Sequence, residues 1–312
     1  MKKNKLEIEL VGGLGNQLFC YFAGVYISKQ TNSEILFIHN LLPEKHSQFD
    51  SRITDFNLPL KTKTKTNVSN NIIVRFCVRI IDSVTYRVPI FRVLRDKKIY
   101  YEKRIGLDKE INAICLKLDK NKRGVILKGH FQDISYYNEL NSLQPQEILR
   151  PKRPSTKYLG AMKSKELSKL TVLHIRRGDF NQFAGEIGLL NEDYYKAAIE
   201  KLISYDPNLN IVTISDDITE AKKIFPKQIL SINKLNDGSL FPEKPAELLL
   251  TMSYAKNLIL SNSTFSLWSG ILARHSKFII YPLPFNLNTP LNVQGFPKTW
   301  IPMPAKFENN LN

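Results

Sequence analysis

Thr171-Val-Leu-His-Ile-Arg-Arg-Gly-Asp179 passes directly from an apolar run into a cluster of charge. A short β-branched stretch of this kind suits a strand buried on both faces, as in a parallel sheet. The residues that follow alternate strictly. Helical periodicity over Glu192–Ser204 is succeeded by a strand over Asn210–Ile214, a helix over Ile218–Ile224 and a strand over Gln228–Ile232. A helix over Ala246–Tyr254, a strand over Leu258–Leu260, a helix over Ser266–Arg274 and a strand over Phe278–Tyr281 complete the series. Strand and helix taking turns predict an α/β domain with a parallel sheet covered by helices. Asn191 suits an N-cap ahead of Glu192 and Asp193, and Pro245 suits a first helical position.

Ligands of open parallel sheets sit beyond the carboxyl ends of the strands, so polar clusters just after a strand are where chemistry belongs. Three occur. His174, Arg176, Arg177 and Asp179 end the first strand; Ser215, Asp216 and Asp217 follow the second; Ser261-Asn-Ser-Thr-Phe-Ser266 opens the helix after Leu260. Paired arginines offer planar, multidentate donors to a diphosphate, and a helix N-terminus with hydroxyls offers a second anion site. An aspartate at a neighbouring strand end can accept the two N–H donors of a guanine edge. Together these describe a nucleotide diphosphate site. With no DxD, no HExxH and no close histidine pair, no metal is expected. Each cluster alone also reads as a capped helix or a surface ion pair, and Asp before a helix is an ordinary N-cap. The arginine pair resists that reading, because burying it for stability returns little.

The N-terminal half opens β-α-β: a strand over Leu6–Val11, the turn Gly12-Gly13-Leu14-Gly15, a helix from Gln17 to about Lys29 and a strand over Glu34–Ile38. Gly12-Gly-Leu-Gly-Asn-Gln17 lacks the GK[ST] of a P-loop and has Leu18 where the third glycine of a dinucleotide fingerprint belongs. Its glycines still permit close backbone approach to a ligand, and they aim Asn16 and Gln17 toward a cleft between domains. From Asn71 to near Pro89 the spacing predicts a basic amphipathic helix. A short strand, Val125–Leu127, leads into Lys128-Gly-His-Phe-Gln132. Three prolines in Gln144–Ser155 mark a linker, so the expected domains are residues 1–150 and 151–312.

Composition agrees with two domains, since 312 residues exceed the length at which one core usually stops growing. No apolar run approaches the roughly 20 residues of a membrane span, and the start lacks a signal-peptide core. Cys20, Cys77 and Cys115 are odd in number and form no CxxC. A cytoplasmic protein in a reducing compartment is expected. The net charge of +16 calls for an acidic partner. Between Lys61 and Arg104 stand twelve basic and three acidic residues, so this segment could lie on an anionic inner membrane. A nucleic-acid-binding protein is the alternative from a different class. No helix-turn-helix, zinc finger or RNP motif supports it, and no nucleic-acid partner is expected.

Gly12-Gly-Leu-Gly-Asn-Gln17, Gly129-His-Phe-Gln132, His174-Ile-Arg-Arg-Gly-Asp179, Glu247-Leu-Leu-Leu-Thr-Met-Ser253 and Asn262-Ser-Thr-Phe-Ser-Leu-Trp268, in that order, resemble the bacterial α-1,2-fucosyltransferases of glycosyltransferase family 11. The resemblance implies a GT-B-type enzyme with two Rossmann-like domains facing an interdomain cleft. It implies inverting, metal-independent transfer of L-fucose from GDP-β-L-fucose to the 2-hydroxyl of a galactose-terminated oligosaccharide or lipid-linked glycan, in O-antigen or polysaccharide biosynthesis. No cofactor is implied. Arg176 would neutralise the departing diphosphate, with Arg177 supporting loop and phosphate and His174 lining the nucleotide pocket. Ser263, Thr264 and Phe265 would hold the pyrophosphate, Asp216 or Asp217 would read guanine, and Asn16 would reach the donor across the cleft. Asp179 is the first candidate for a base on the acceptor hydroxyl, and Glu186 the second.

Overall fold

The structure, a computed structural model, describes residues 4–40, 53–65, 98–101, 125–132, 145–178, 184–224, 233–235, 240–288, 291 and 295–308. The helix expected from Asn71, the strand expected over Gln228–Ile232, most of the basic 61–104 segment, Cys77, Cys115 and Asp179 lie outside the described residues. The chain divides into two units, Met1–Asp50 with Leu58–Leu143, and Ser51–Asn57 with Gln144–Asn312. Each holds a wholly parallel sheet, so both are α/β and Rossmann-like, the two domains expected of the GT-B class.

In the first unit β1 (Lys5–Leu10) runs between β2 (Glu34–Asn40) and β5 (Val125–Lys128), with β3 (Thr62–Lys65) and β4 (Lys98–Tyr101) at the edges. Leu6, Ile8 and Leu10 alternate onto one buried face, which α1 (Leu14–Thr31) covers. A Cβ on Gly24 would meet Ile35 Cδ1 at 2.5 Å and Ile8 Cγ2 at 3.2 Å, so the helix lies hard against β1 and β2 at that point. Gly24 thus supplies the close helix-to-strand packing for which Leu18 is too large. Asn32, in the left-handed region at φ 47°, ends the helix.

The second unit orders its strands β11-β10-β9-β6-β7-β8: Ile301–Pro304, Phe278–Leu283, Asn257–Ile259, Leu170–Ile175, Asn210–Ser215 and Asn233–Leu235. This is the order of a dinucleotide-binding sheet, counted outward from β6. Every residue of β6 is buried, as a central parallel strand requires. Tyr194, Tyr195, Ala198, Ile199 and Leu202 form the inner stripe of the helix Glu192–Ile203 and pack with Leu173, Ile175, Ile211, Ile259 and Ile280.

The linker expected over Gln144–Ser155 is instead built into the second unit. It contains a short helix, α2 (Pro145–Ile148), and receives Ser51–Asn57 from the N-terminal half: Asn57 N–H donates to Arg150 O at 2.8 Å and Lys152 N–H to Asp55 O at 2.7 Å. Prolines cannot donate a backbone bond, and the Ser51–Asn57 segment supplies partners for the groups between them. Ser155 then caps α3 (Thr156–Lys163), accepting from Tyr158 N–H, while its own N–H and hydroxyl donate to the buried carboxylate of Glu247 at 2.9 and 2.5 Å. Removing that acceptor with Glu247→Ala should lower stability by about 2 kcal/mol, seen as a fall in the urea midpoint at unchanged slope.

Candidate active site

From β6 the chain moves outward to β7 and β8, then returns to β9 on the other side of β6. Connections leaving β6 and β9 therefore diverge and open a crevice at the carboxyl end of the sheet. Arg176, Arg177 and Gly178 leave β6 there. Leu260 to Ser263 leave β9 and turn into α8, the helix Thr264–Leu272.

The adjacent arginines have different surroundings. Arg176 is partly exposed and pairs with Asp216, Nη1 to Oδ2 at 3.1 Å. The other oxygen of Asp216 accepts the Arg177 N–H at 2.8 Å, so one carboxylate holds both the loop backbone and the Arg176 guanidinium. A Cβ on Gly178 would lie 2.3 Å from Asp216 Oδ2, which makes glycine the residue that admits this grip. The Arg177 side chain is 3% exposed and turns inward, its Nη2 donating to Leu190 O at 2.7 Å and to Glu308 Oε1 at 2.6 Å. Arg177 consequently fastens Glu308 and the Leu190 backbone to the loop through an internal ion pair. Lys306 O and Leu189 O take the N–H groups of Asn191 and Glu308 in the same bridge.

The aspartates expected to read guanine also have other work. Asp216 is committed to the arginine loop. Asp217 is an N-cap: its Oδ1 accepts Glu220 N–H at 3.0 Å at the start of the helix Ile218–Ile224. His174 is buried, with Nδ1 2.8 Å from Ser261 Oγ, which in turn lies 3.2 Å from Ser266 Oγ. Its ring lies 5.7 Å from that of Phe265. The imidazole therefore links the two sides of the crevice from beneath. Burial first, then the neighbouring Arg176 charge, pushes its pKa down to about 3, so it is neutral at ordinary pH.

Ser263 caps α8 and accepts from Phe265 N–H at 3.3 Å; the first turn carries no acidic residue. Thr264 and Phe265 stand half-buried in that turn. A helix start of this composition has N–H groups outside the helical ladder and the positive end of the dipole, the features that suit an anion. Asn262 donates its amide to Ile187 O at 3.2 Å and Gly188 O at 2.9 Å. It thereby ties the same loop to the short helix Ala184–Ile187, where Glu186 is exposed. Asn262 and Glu308 are positions the sequence does not single out: the first lies inside the Asn262–Trp268 motif with no cue to its partners, and the second carries no local signal.

In the first unit, considered by itself, the Gly12–Gln17 and Gly129–Gln132 loops follow neighbouring strands β1 and β5. Gln132 Nε2 donates to Asn16 Oδ1 at 2.9 Å, and Gln17 Nε2 to Gly12 O at 3.0 Å. Gly12 has φ 67°, and a Cβ there would meet Asn16 Nδ2 at 2.5 Å. Buried Phe131 holds φ 50°, turning Gln132 back toward Asn16. Among the described residues no group of three or more His, Cys, Asp or Glu side chains could hold a metal ion.

A dinucleotide-type parallel sheet with a cation and a helix start at its switch point is the arrangement in which α/β enzymes commonly place a ligand site. The model of Glycosyl transferase family 11 matches residues 128–301, and the chain belongs to that family. It is a glycosyltransferase of the family the motifs indicated. The O-antigen biosynthesis glycosyltransferase WbnK of Escherichia coli is 28% identical over 296 residues, which cover 88% of this chain and 92% of that protein. An alpha-1,2-colitosyltransferase of Escherichia coli is 29% identical over 303 residues, covering 94% and 96%. The crystal structure of fucosyltransferase NodZ from Bradyrhizobium has a TM-score of 0.47 at 9% identity, covering 88% of this chain and 94% of that one.

The unfolded chain protonates a histidine near pH 6.5, whereas folded His174 stays neutral down to about 3. The folded state thus binds fewer protons across this window, so stability falls as pH drops through it. A His174→Gln variant should lose stability less steeply with acidification than the parent, as measured by urea midpoints at a series of pH values.

Proposed function

We propose that this glycosyltransferase moves L-fucose from GDP-β-L-fucose to the 2-hydroxyl of a terminal galactoside, with inversion and without a metal ion. The observation that carries the reading is Arg176, held by Asp216 at the switch point of the sheet where α8 begins. As the acceptor oxygen bonds to the anomeric carbon, the bond to the β-phosphate oxygen breaks and its electron pair leaves on the diphosphate. Arg176 and the α8 N-terminus meet that developing charge from fixed positions, which is where preorganised electrostatics act most strongly. Asp216 is the positioning residue. The acceptor proton passes to a carboxylate, Glu186 on the turn that Asn262 anchors or Asp179 of the arginine motif.

With Asp216 and Asp217 engaged inside the protein, the guanine preference rests on the motif resemblance. The sugar and linkage rest on the same resemblance and on the activity for which the alpha-1,2-colitosyltransferase relative is named. Colitose is fucose without its 3-hydroxyl, so that relative also favours a second reading, transfer of the 3-deoxy sugar. The O-antigen relative supports a lipid-linked or polysaccharide acceptor.

Purified protein given GDP-fucose, GDP-colitose and other nucleotide sugars with β-galactosides, in EDTA, should add fucose at galactose O2, identified by mass spectrometry and NMR. Colitose in preference to fucose would select the second reading, and an absolute need for divalent ion would sink the metal-free one. Arg176→Ala should lower kcat roughly 10²- to 10³-fold in a protein that still folds. Gly178→Ala, which displaces the Asp216 carboxylate, should lower it about tenfold. Wild-type turnover by Arg176→Ala would remove the leaving-group role.

A further inference from the structure

The motifs and the site leave the positive charge of the chain unexplained. Residues 150–169, RPKRPSTKYLGAMKSKELSK, hold seven basic residues and one acidic, Glu166, whose carboxylate is already paired with Lys169 at 2.7 Å. This short stretch and the 61–104 segment carry six and nine of the net sixteen charges. The donor site uses none of the seven. Lys152, Arg153, Lys163 and Lys165 are exposed.

Apolar surface stands among them. Thr156, Leu159, Gly160 and Lys163 recur at the spacing of one helical face, and all are exposed, with Leu159 at 45%. A Cβ on Gly160 would touch nothing within 4 Å, so this outer face of α3 is bare. Its inner face lies on α7, the helix Pro245–Met252, with Ala161 buried. Tyr254, just beyond α7, is 49% exposed. It lies near Tyr158, whose hydroxyl pKa is pushed up to about 12 by burial first and then by Tyr254 and Glu247. The face is rigidly mounted: Glu247 holds the Ser155 cap, and Lys244 Nζ donates to Arg153 O at 3.3 Å.

We propose that the outer face of α3, with Tyr254, docks on an anionic lipid bilayer. An exposed leucine and an exposed tyrosine in a stretch rich in exposed lysines can enter the boundary between headgroups and acyl chains while the ammonium groups reach the phosphates. Each cation near such a surface strengthens attachment, and the single acid of the stretch is already neutralised by its pair. A nucleic acid would also match the charge, but an exposed leucine has no use there. Among the described residues no helix is long and apolar enough to cross a membrane, so this contact is with the surface. The inference stands apart from the identity of the sugar donor.

The full-length protein should co-sediment with vesicles containing phosphatidylglycerol and not with phosphatidylcholine alone, less so as salt rises. Leu159→Ser with Tyr254→Ser should weaken partitioning roughly tenfold. Lys152→Glu, Lys163→Glu and Lys165→Glu together should weaken it by more than that. Both variants should keep the parent's circular-dichroism melt and its transfer to a soluble acceptor. Equal sedimentation with both vesicle types, or binding unchanged in both variants, would overturn the proposal. Loss in the lysine variant alone, with DNA competing for wild-type protein, would overturn it in favour of a polyanion surface.

Discussion

A single carboxylate organises the loop that leaves the central strand β6. Asp216, at the end of β7, reaches the loop that leaves β6, takes the Arg177 N–H with one oxygen and the Arg176 guanidinium with the other. Parallel neighbours in register, Ile175 opposite Ser215, bring the two loops together at the same level. Without that grip an arginine at a sheet edge would sample many rotamers, and ordering it on substrate binding would consume affinity. Held in place, it presents a charge whose reorganisation is already complete.

Its neighbour shows the other use of the same side chain. Arg177 buries a charge beside Glu308 and a backbone carbonyl, an arrangement whose desolvation cost offsets most of its Coulombic gain. What the pair secures is position: the tail 305–308, the 189–191 strand segment and the arginine loop are fixed to one another. Neutral His174 does similar work beneath the crevice, joining β6 to the Ser261–Ser266 loop through hydroxyls. Its low pKa follows from burial, which makes the imidazole a connector at working pH and removes it as a general base there.

The first unit repeats the device in amides. Asn16 and Gln132 belong to loops after adjacent strands and bond across them, while positive φ at Gly12 and Phe131 sets the turns. Asparagine and glutamine can make such a bond because each combines donor and acceptor without charge.

Much of this was legible along the chain. Alternating strand and helix patterns in the second half specified a parallel sheet, because burial on both faces leaves a continuous apolar strand and helices must cover it. The polar clusters after β6, β7 and β9, and the glycine turn after β1, marked the ends where ligands bind. Other features depended on contacts distant in sequence. Three prolines read as a linker, yet Ser51–Asn57 supplied the hydrogen bonds that made the stretch part of the second unit. Two adjacent arginines carry no local sign of their partners, which were decided by Asp216, 40 positions from Arg176, and by Glu308, 131 positions from Arg177. Residue type and local period determine which elements form and where charge gathers. Which carboxylate faces which cation is settled by strand order and register, and those exist only once the sheet has assembled.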